Sequence, residues 1–248
     1  MTIRVAVLGS AGRMGSHVCA AVHEADELEL VCALDVANDL EELVQSGAHV
    51  VVDFTHPSSV MANLEFVIGH GMHAVVGTTG FDDERIATVS SMLAEQPTVG
   101  VVIAPNFSIG AVLMMRFAAE AAKFYPSAEV VEYHHPGKAD APSGTARRTA
   151  EIMAAVRAEA GMAPMPDATV TSLDGARGAQ VGDVRVHSVR LTGLVAHQEV
   201  ILGGPGETLT IRHDSLDRAS FMPGVVLAVR EVSSHPGLTV GIDALLGL

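Results

Sequence analysis

The sequence predicts an α/β fold in which a doubly wound parallel sheet is joined to a second, α+β domain built on a mixed sheet. Two patterns carry that expectation. From the N-terminus to about residue 107, short β-branched runs alternate with stretches of helical apolar spacing, as expected of strands buried on both faces between helices. Beyond residue 183, three extended runs follow one another with only glycine turns between them, a pattern of antiparallel or mixed pairing.

Taken in order, "IRVAVLG" reads as a buried strand ending at glycine, "RMGSHVCAAVHEA" as a helix, and "LELVCALD" as a second strand ending in an acid, which together make a βαβ unit. The alternation continues through the strand "AHVVVDFTH", the helix "PSSVMANLEFVIGHG", the strand "MHAVVGTTG", the helix "FDDERIATVSSMLAEQ" and the strand "VGVVIAPNF". After the helix "IGAVLMMRFAAEAAKFY" the pattern changes. "AEVVEYHH" is a strand, "SGTARRTAEIMAAVRAEAG" a helix, and Gly161 to Gly182 a long loop rich in Gly, Pro and Asp. "VRVHSVRL", "GLVAHQEVILGG" and "ETLTIRHDS" are strands, and "LDRASFMPGVVLAVREV" is a helix whose apolar face is suited to cover the first sheet. No internal repeat or low-complexity segment is visible.

Composition narrows the function classes. A chain of 248 residues with 48% hydrophobic content can bury one sizeable core or two smaller ones. A formal net charge of −14 argues against a nucleic-acid partner, because phosphate backbones are held by many Lys and Arg. No apolar run approaches the roughly 20 residues of a membrane helix, and the first strand begins without a signal-like flank, so a cytoplasmic protein with no membrane partner is expected. Cys19 and Cys32 lack the spacing of a zinc cluster or redox pair and are expected to be reduced, buried packing residues. His17, His23, His70 and His73 have no partners at ligand spacing, so no metal is expected, and Met114–Met115 read as core.

Three sets of residues carry chemistry. Gly9, Gly12 and Gly15 in "GSAGRMG" lie between the first strand and the first helix, where helix N-terminal amides can hold a pyrophosphate. The G-x-x-G-x-x-G spacing differs from G-x-G-x-x-G and is compatible with a ligand-free turn, but Asp35, about 20 residues on, is placed to bond dinucleotide ribose hydroxyls. "GTTG" (Gly77 to Gly80) and "APNF" (Ala104 to Phe107) fall at predicted strand C-termini, the ligand edge of such sheets, and read equally as simple turns. The densest polar cluster is "HHPGKADAPSGTA", His134 to Ala146: two histidines close a strand, Lys138 is one of only two lysines, and "SGT" opens a helix whose amides suit a carboxylate. A solvated loop capped by Ser143 is the alternative.

Together "VLGSAGRMG", "DFTHP", "VVGTTGF", "APNFSIGAVL", "HHPGKADAPSGTA" and "GLVAHQEVILGGPGETLTIRHDS" resemble the dihydrodipicolinate (4-hydroxy-tetrahydrodipicolinate) reductase family, in its order and over nearly the whole chain. The resemblance implies a Rossmann-like cofactor domain, residues 1–128 completed by 216–248, and a substrate-binding and oligomerisation domain, residues 129–215, that forms a homotetramer. It implies NADH or NADPH as cofactor, contacted by Gly9, Ser10, Ala11, Gly12, Arg13, Met14, Asp35, Gly77, Thr78, Thr79, Ala104, Pro105, Asn106 and Phe107. It makes His134 the acid/base and Lys138 the proton donor, with His135, Gly144 and Thr145 binding a cyclic imine dicarboxylate. Many relatives carry a histidine or another polar residue where this chain has Gly137, which leaves no side chain there for a carboxylate. The implied reaction adds hydride to a conjugated C=C–C=N system of the dehydrated substrate, in diaminopimelate and lysine biosynthesis, and so requires a nearby proton donor. Another two-domain amino-acid dehydrogenase shares the glycine loop but gives no reason for "HHPGK…SGT". A non-catalytic dinucleotide sensor would have no use for Lys138.

Overall fold

A computed structural model of the chain describes residues 2–247. In chain order the first elements are β1 (Ile3–Leu8), α1 (Arg13–Glu24), β2 (Leu28–Leu34), α2 (Glu41–Ser46), β3 (Val50–Asp53), α3 (Val60–Gly69), β4 (His73–Val76), α4 (Asp83–Ala94) and β5 (Gly100–Ile103). They are followed by α5 (Ile109–Ala122), β6 (Ser127–His134), α6 (Gly144–Glu159), β7 (Ala179–Val181), β8 (Val184–Arg190), β9 (Ala196–Gly204) and β10 (Glu207–Ser215). The chain closes with a 3₁₀ turn (Arg218–Phe221), α7 (Met222–Glu231) and β11 (Gly237–Val240). Two compact units result: one running through Ile109 and resuming at Arg218, the other Gly110–Asp217.

The first unit contains a six-stranded sheet in the order β11-β5-β4-β3-β1-β2, with every pairing parallel. Parallel neighbours need crossovers, and the helices provide them. One face of the sheet presents Ala6, Leu8, Val51, Ala74, Val76, Val101 and Ile103 to a core completed by Leu43, Leu64, Val67, Ile68, Val89 and Leu93. The alternate residues Val5, Val7, Val52, Val75 and Val102 are equally buried, so these strands read as continuous apolar runs. Helix α7 packs against α1 and reaches β4, with Val225, Ala228 and Val229 buried, in keeping with the expected cover for the first sheet. Because β1 lies between β3 and β2, successive crossovers diverge from its C-terminal end, the switch point where ligands of such sheets bind.

The second unit is a mixed sheet, order β10-β9-β6-β8-β7: β6 runs parallel to β8 and antiparallel to β9, while β10 and β7 pair antiparallel at the edges. Its core joins Ala128, Val130, Val184, Val186, Val200 and Leu202 of the sheet to Ala146, Ala150 and Met153 of α6.

Three features differ from the sequence-based expectation. Helix α5, expected in the first domain, lies in the second unit from Gly110 onward because its Ala118 and Ala122 are buried in that unit's core. The boundary therefore falls some twenty residues earlier than 128, and the return segment begins at Arg218 rather than 216. Strand β11 follows α7 in a stretch given no strand, because four residues beginning at a glycine carry little periodicity and are held by parallel pairing with β5. Helix α2 and strand β7, of six and three residues, were also too short to show a period. Cys19 and Cys32 are unpaired and only half-buried, and burial raises both thiols above their ordinary value. Among the described residues no helix is long and apolar enough to cross a membrane.

Candidate active site

In the first unit the predicted cofactor residues gather along the C-terminal edge of the parallel sheet: Gly9 follows β1, Asp35 follows β2, Gly77 follows β4 and Ala104 follows β5. The glycines are required by close approach. Gly9 has φ +77°, and a Cβ there would lie 2.6 Å from the Phe54 carbonyl oxygen. A Cβ on Gly15 would lie 2.0 Å from the Gly9 carbonyl oxygen, so the first turn of α1 rests directly on the loop. Gly12 caps α1 with no side-chain hydrogen bond, and the first turn carries no acid. The leading amides of α1, at Arg13 and Met14, therefore have no cap competing for them, as an anion site at a helix N-terminus needs. The Asp35 carboxylate accepts from the Ala11 amide at 2.6 Å, which draws the loop toward the end of β2. Gly9, Gly12 and Asp35 line a cleft of about 510 Å³, together with Val36, Phe54 and Asn63. Ser10 is half-buried at the loop's start and Arg13 is exposed.

"GTTG" and "APNF" differ residue by residue. A Cβ on Gly77 would enter the Phe54 ring, Thr78 is buried, and Thr79 is exposed. Ala104 is buried, Pro105 is exposed, and Asn106 accepts from the Ser108 amide through Oδ1. Phe107 is 3% exposed, with its ring centroid 5.7 Å from that of Phe54. Sequence reasoning gave no role to Asp53, at the end of β3. Its buried carboxylate accepts from the Thr55 amide and hydroxyl, the Thr78 hydroxyl (2.7 Å) and the Asn63 side-chain amide (2.7 Å), which ties the loops after β3 and β4 to helix α3. Its position at a strand C-terminus, like that of Asp35, was the available signal.

In the second unit β6 ends at His134, whose side chain is 15% exposed, and the next residue, His135, is exposed. The chain turns back through Lys138 and a cis Ala141–Pro142 bond into the N-cap Ser143, whose hydroxyl accepts from the Ala146 amide. Gly144, which is exposed, and Thr145, which is half-buried, form the first turn of α6. Lys138 Nζ donates to Asp140 at 2.6 Å, and that bond holds the Asp140 carboxyl below its usual range. A Cβ on Gly137 would stand 3.3 Å from His135 Nδ1, so a larger residue here would press on that ring.

Beneath this surface lies a side chain that sequence reasoning passed over. Glu132 is fully buried on the same face of β6 as His134. Burial pushes its carboxyl up, but hydrogen bonds from His134, Arg190 and Ser188 outweigh that and hold it at about 2. The signal was present: an acid two residues before a histidine on a strand must share its side.

Comparison with known proteins places a boundary at the same point near residue 109, the C-terminal match running on through the returning segment of the first unit. The family model for the N-terminus of dihydrodipicolinate reductase matches residues 3–107, and that for its C-terminus matches residues 110–246. Fold and site thus define a two-domain oxidoreductase with a Rossmann-like first unit, and a curated 4-hydroxy-tetrahydrodipicolinate reductase of Nocardia farcinica is 63% identical over the whole of both chains. One of Streptomyces griseus is 62% identical over 99% of this chain and 98% of that one. A solved, dipicolinate-bound dihydrodipicolinate reductase from Paenisporosarcina sp. TG-14 superimposes with a TM-score of 0.88 at 37% identity, covering 98% of this chain and 99% of that one. The chain belongs to the dihydrodipicolinate reductase family.

Proposed function

We propose that the protein reduces 4-hydroxy-tetrahydrodipicolinate, through its dehydrated form, to tetrahydrodipicolinate with NADH or NADPH, as a cytoplasmic step of diaminopimelate and lysine biosynthesis. The observation that carries this reading is the grouping, at one end of β6, of two proton-bearing side chains and a helix N-terminus: His134, Lys138 and the first turn of α6. A dicarboxylate that gains negative charge during reaction needs that combination.

The nicotinamide, when bound, supplies the hydride. The first-turn amides of α1 hold the pyrophosphate without side-chain charge, and Asp35 bonds the ribose hydroxyls. Ser10, Ala11, Gly77, Thr79 and the Ala104–Asn106 backbone complete the contact, while Thr78 and Phe107 act as supports from their buried positions. In the second unit the Gly144 and Thr145 amides and His135 receive one carboxylate. Lys138 attracts the dianion and donates a proton toward the ring nitrogen, exchanging its bond to Asp140 for one to substrate. His134 acts as acid/base. A homotetramer, implied by the family, fits an edge strand β10 whose Glu207–Thr210 stretch is exposed.

The test is oxidation of NADH or NADPH coupled to freshly made dihydrodipicolinate synthase product. Wild type turns over, and His134→Gln loses kcat with less change in KM. Absence of turnover with both cofactors, or a near-normal kcat in His134→Gln, refutes the reading.

A further inference from the structure

Along β6 the residues facing α6 are Ala128, Val130, Glu132 and His134, and the first two belong to the core. An acid continuing that row must be neutralised or saturated, because a bare carboxylate in the interior is costly. Glu132 is saturated. Its Oε2 faces His134 Nδ1 at 2.5 Å and accepts from Arg190 Nη1 at 2.8 Å. Its Oε1 accepts from Arg190 Nη2 at 2.8 Å and from the Ser143 amide at 3.1 Å. The guanidinium is thus bidentate, the strongest form of such a pair. The Ser143 bond ties the same carboxylate to the residue that caps α6.

We infer that Glu132, clamped by Arg190, is a positioning residue for the reaction: it holds the His134 imidazole by Nδ1–H and turns Nε2 toward substrate. This rests on the acid/base role proposed for His134. An ionised carboxylate can only accept, so the nitrogen facing it carries the proton, and in a neutral imidazole the other nitrogen then carries the lone pair. The charged groups around His134 are Glu132 on its own strand and Arg190 paired beside it on β8. Arg190 also donates to the Asp140 carbonyl at 2.7 Å, and the Asp140 carboxylate holds Lys138, so one chain of bonds joins both proton-bearing residues. On the other side β9 sets Ala196 opposite His134 and contributes no charge there. A buried ion pair serving the fold alone is often replaceable by apolar residues at little cost, which makes a purely structural role separable by experiment.

The first measurement uses the unaltered enzyme: long-range ¹H–¹⁵N correlation of the histidine rings, with His134→Gln identifying the signal. The expected spectrum of the neutral ring shows His134 protonated at Nδ1 and not at Nε2, and an Nε2–H tautomer overturns the inference without any Glu132 variant. Glu132→Gln should release the tautomer, shift the pH limb of kcat, and lower kcat about 10–100-fold with little change in KM, the size of a lost orienting partner. Glu132→Asp should recover part of both signatures. Loss of activity in His134→Gln with normal kcat and pH profile in Glu132→Gln overturns this role alone. Normal kcat in both overturns the reading of the reaction and this role with it. If Glu132→Gln does not fold, the wild-type tautomer and the Glu132→Asp pH profile decide.

Discussion

The two units build their sites from different materials. At the C-terminal edge of the first sheet the candidate cleft is framed mainly by backbone: loop amides, a helix N-terminus with no side-chain cap and glycines pressed against Phe54 and one another. At the end of β6 they are side chains, wired into a network that runs from the buried Glu132 through Arg190 and Asp140 to Lys138 at the surface. A backbone site tolerates side-chain change but no added Cβ, whereas a side-chain site fails through single atoms.

The largest break in that comparison should come at Lys138. Lys138→Met keeps most of the side chain's length but removes charge and proton, so kcat should fall by about 10²–10⁴, with any loss of substrate affinity added. NADH affinity, read by fluorescence titration, should be unchanged because the dinucleotide is assigned to the other unit. A kcat near wild type would show that Lys138 is not the donor.

A comparable effect should appear in stability at acid pH. Glu132 is held at about 2 in the folded state against an ordinary 4.5. A depressed carboxyl contributes stability that is fully present above the unfolded value and lost as pH falls toward the folded one. About 3 kcal/mol should therefore disappear between roughly pH 5 and 2. Urea unfolding followed by tyrosine fluorescence reads the second unit alone, since Tyr125 and Tyr133 are the chain's two tyrosines and it has no tryptophan. The acid loss should be smaller by that amount in Glu132→Gln; equal losses would contradict the assignment.

Gly15→Ala tests the backbone site. The added methyl meets a carbonyl 2.0 Å away, so the loop must move at a cost of about 1–3 kcal/mol. NADH affinity should fall about tenfold or more while the unfolding of the second unit read by tyrosine fluorescence is unchanged; unchanged NADH affinity would mean that the loop does not hold the dinucleotide.

The smallest effect concerns the cofactor. Asp35 repels a 2′-phosphate, and Val36, fully exposed, stands where an arginine would receive one, although exposed Arg13 softens the preference. NADH should serve at least as well as NADPH; kcat/KM more than tenfold higher with NADPH would reverse this.

Much of this was legible in order of residues. Glycine spacing and the strand-end Asp35 marked the first candidate site because backbone geometry imposes local sequence rules. His134 and Lys138 stood out because a histidine pair, a rare lysine and a helix start fell within a few residues. Asp53 and Arg190 did not, since their partners are distant: Asp53 meets Thr78 twenty-five residues on, and Arg190 meets Glu132 fifty-eight residues back. The place of α5 was equally hidden, because its apolar spacing matches either core and only packing selects one.

By itself, then, the sequence determined the element types of the longer segments and the parallel-then-mixed division, and it singled out the glycine loop and the His134–Lys138 cluster as candidates, all consequences of period, β-branching and short-range turn chemistry. Tertiary structure decided the boundary at Ile109, the closing strand β11 beside β5, the burial of Phe107 and the clamp of Arg190 on Glu132. Each of these depends on which distant surfaces exclude water together, and no local pattern specifies that.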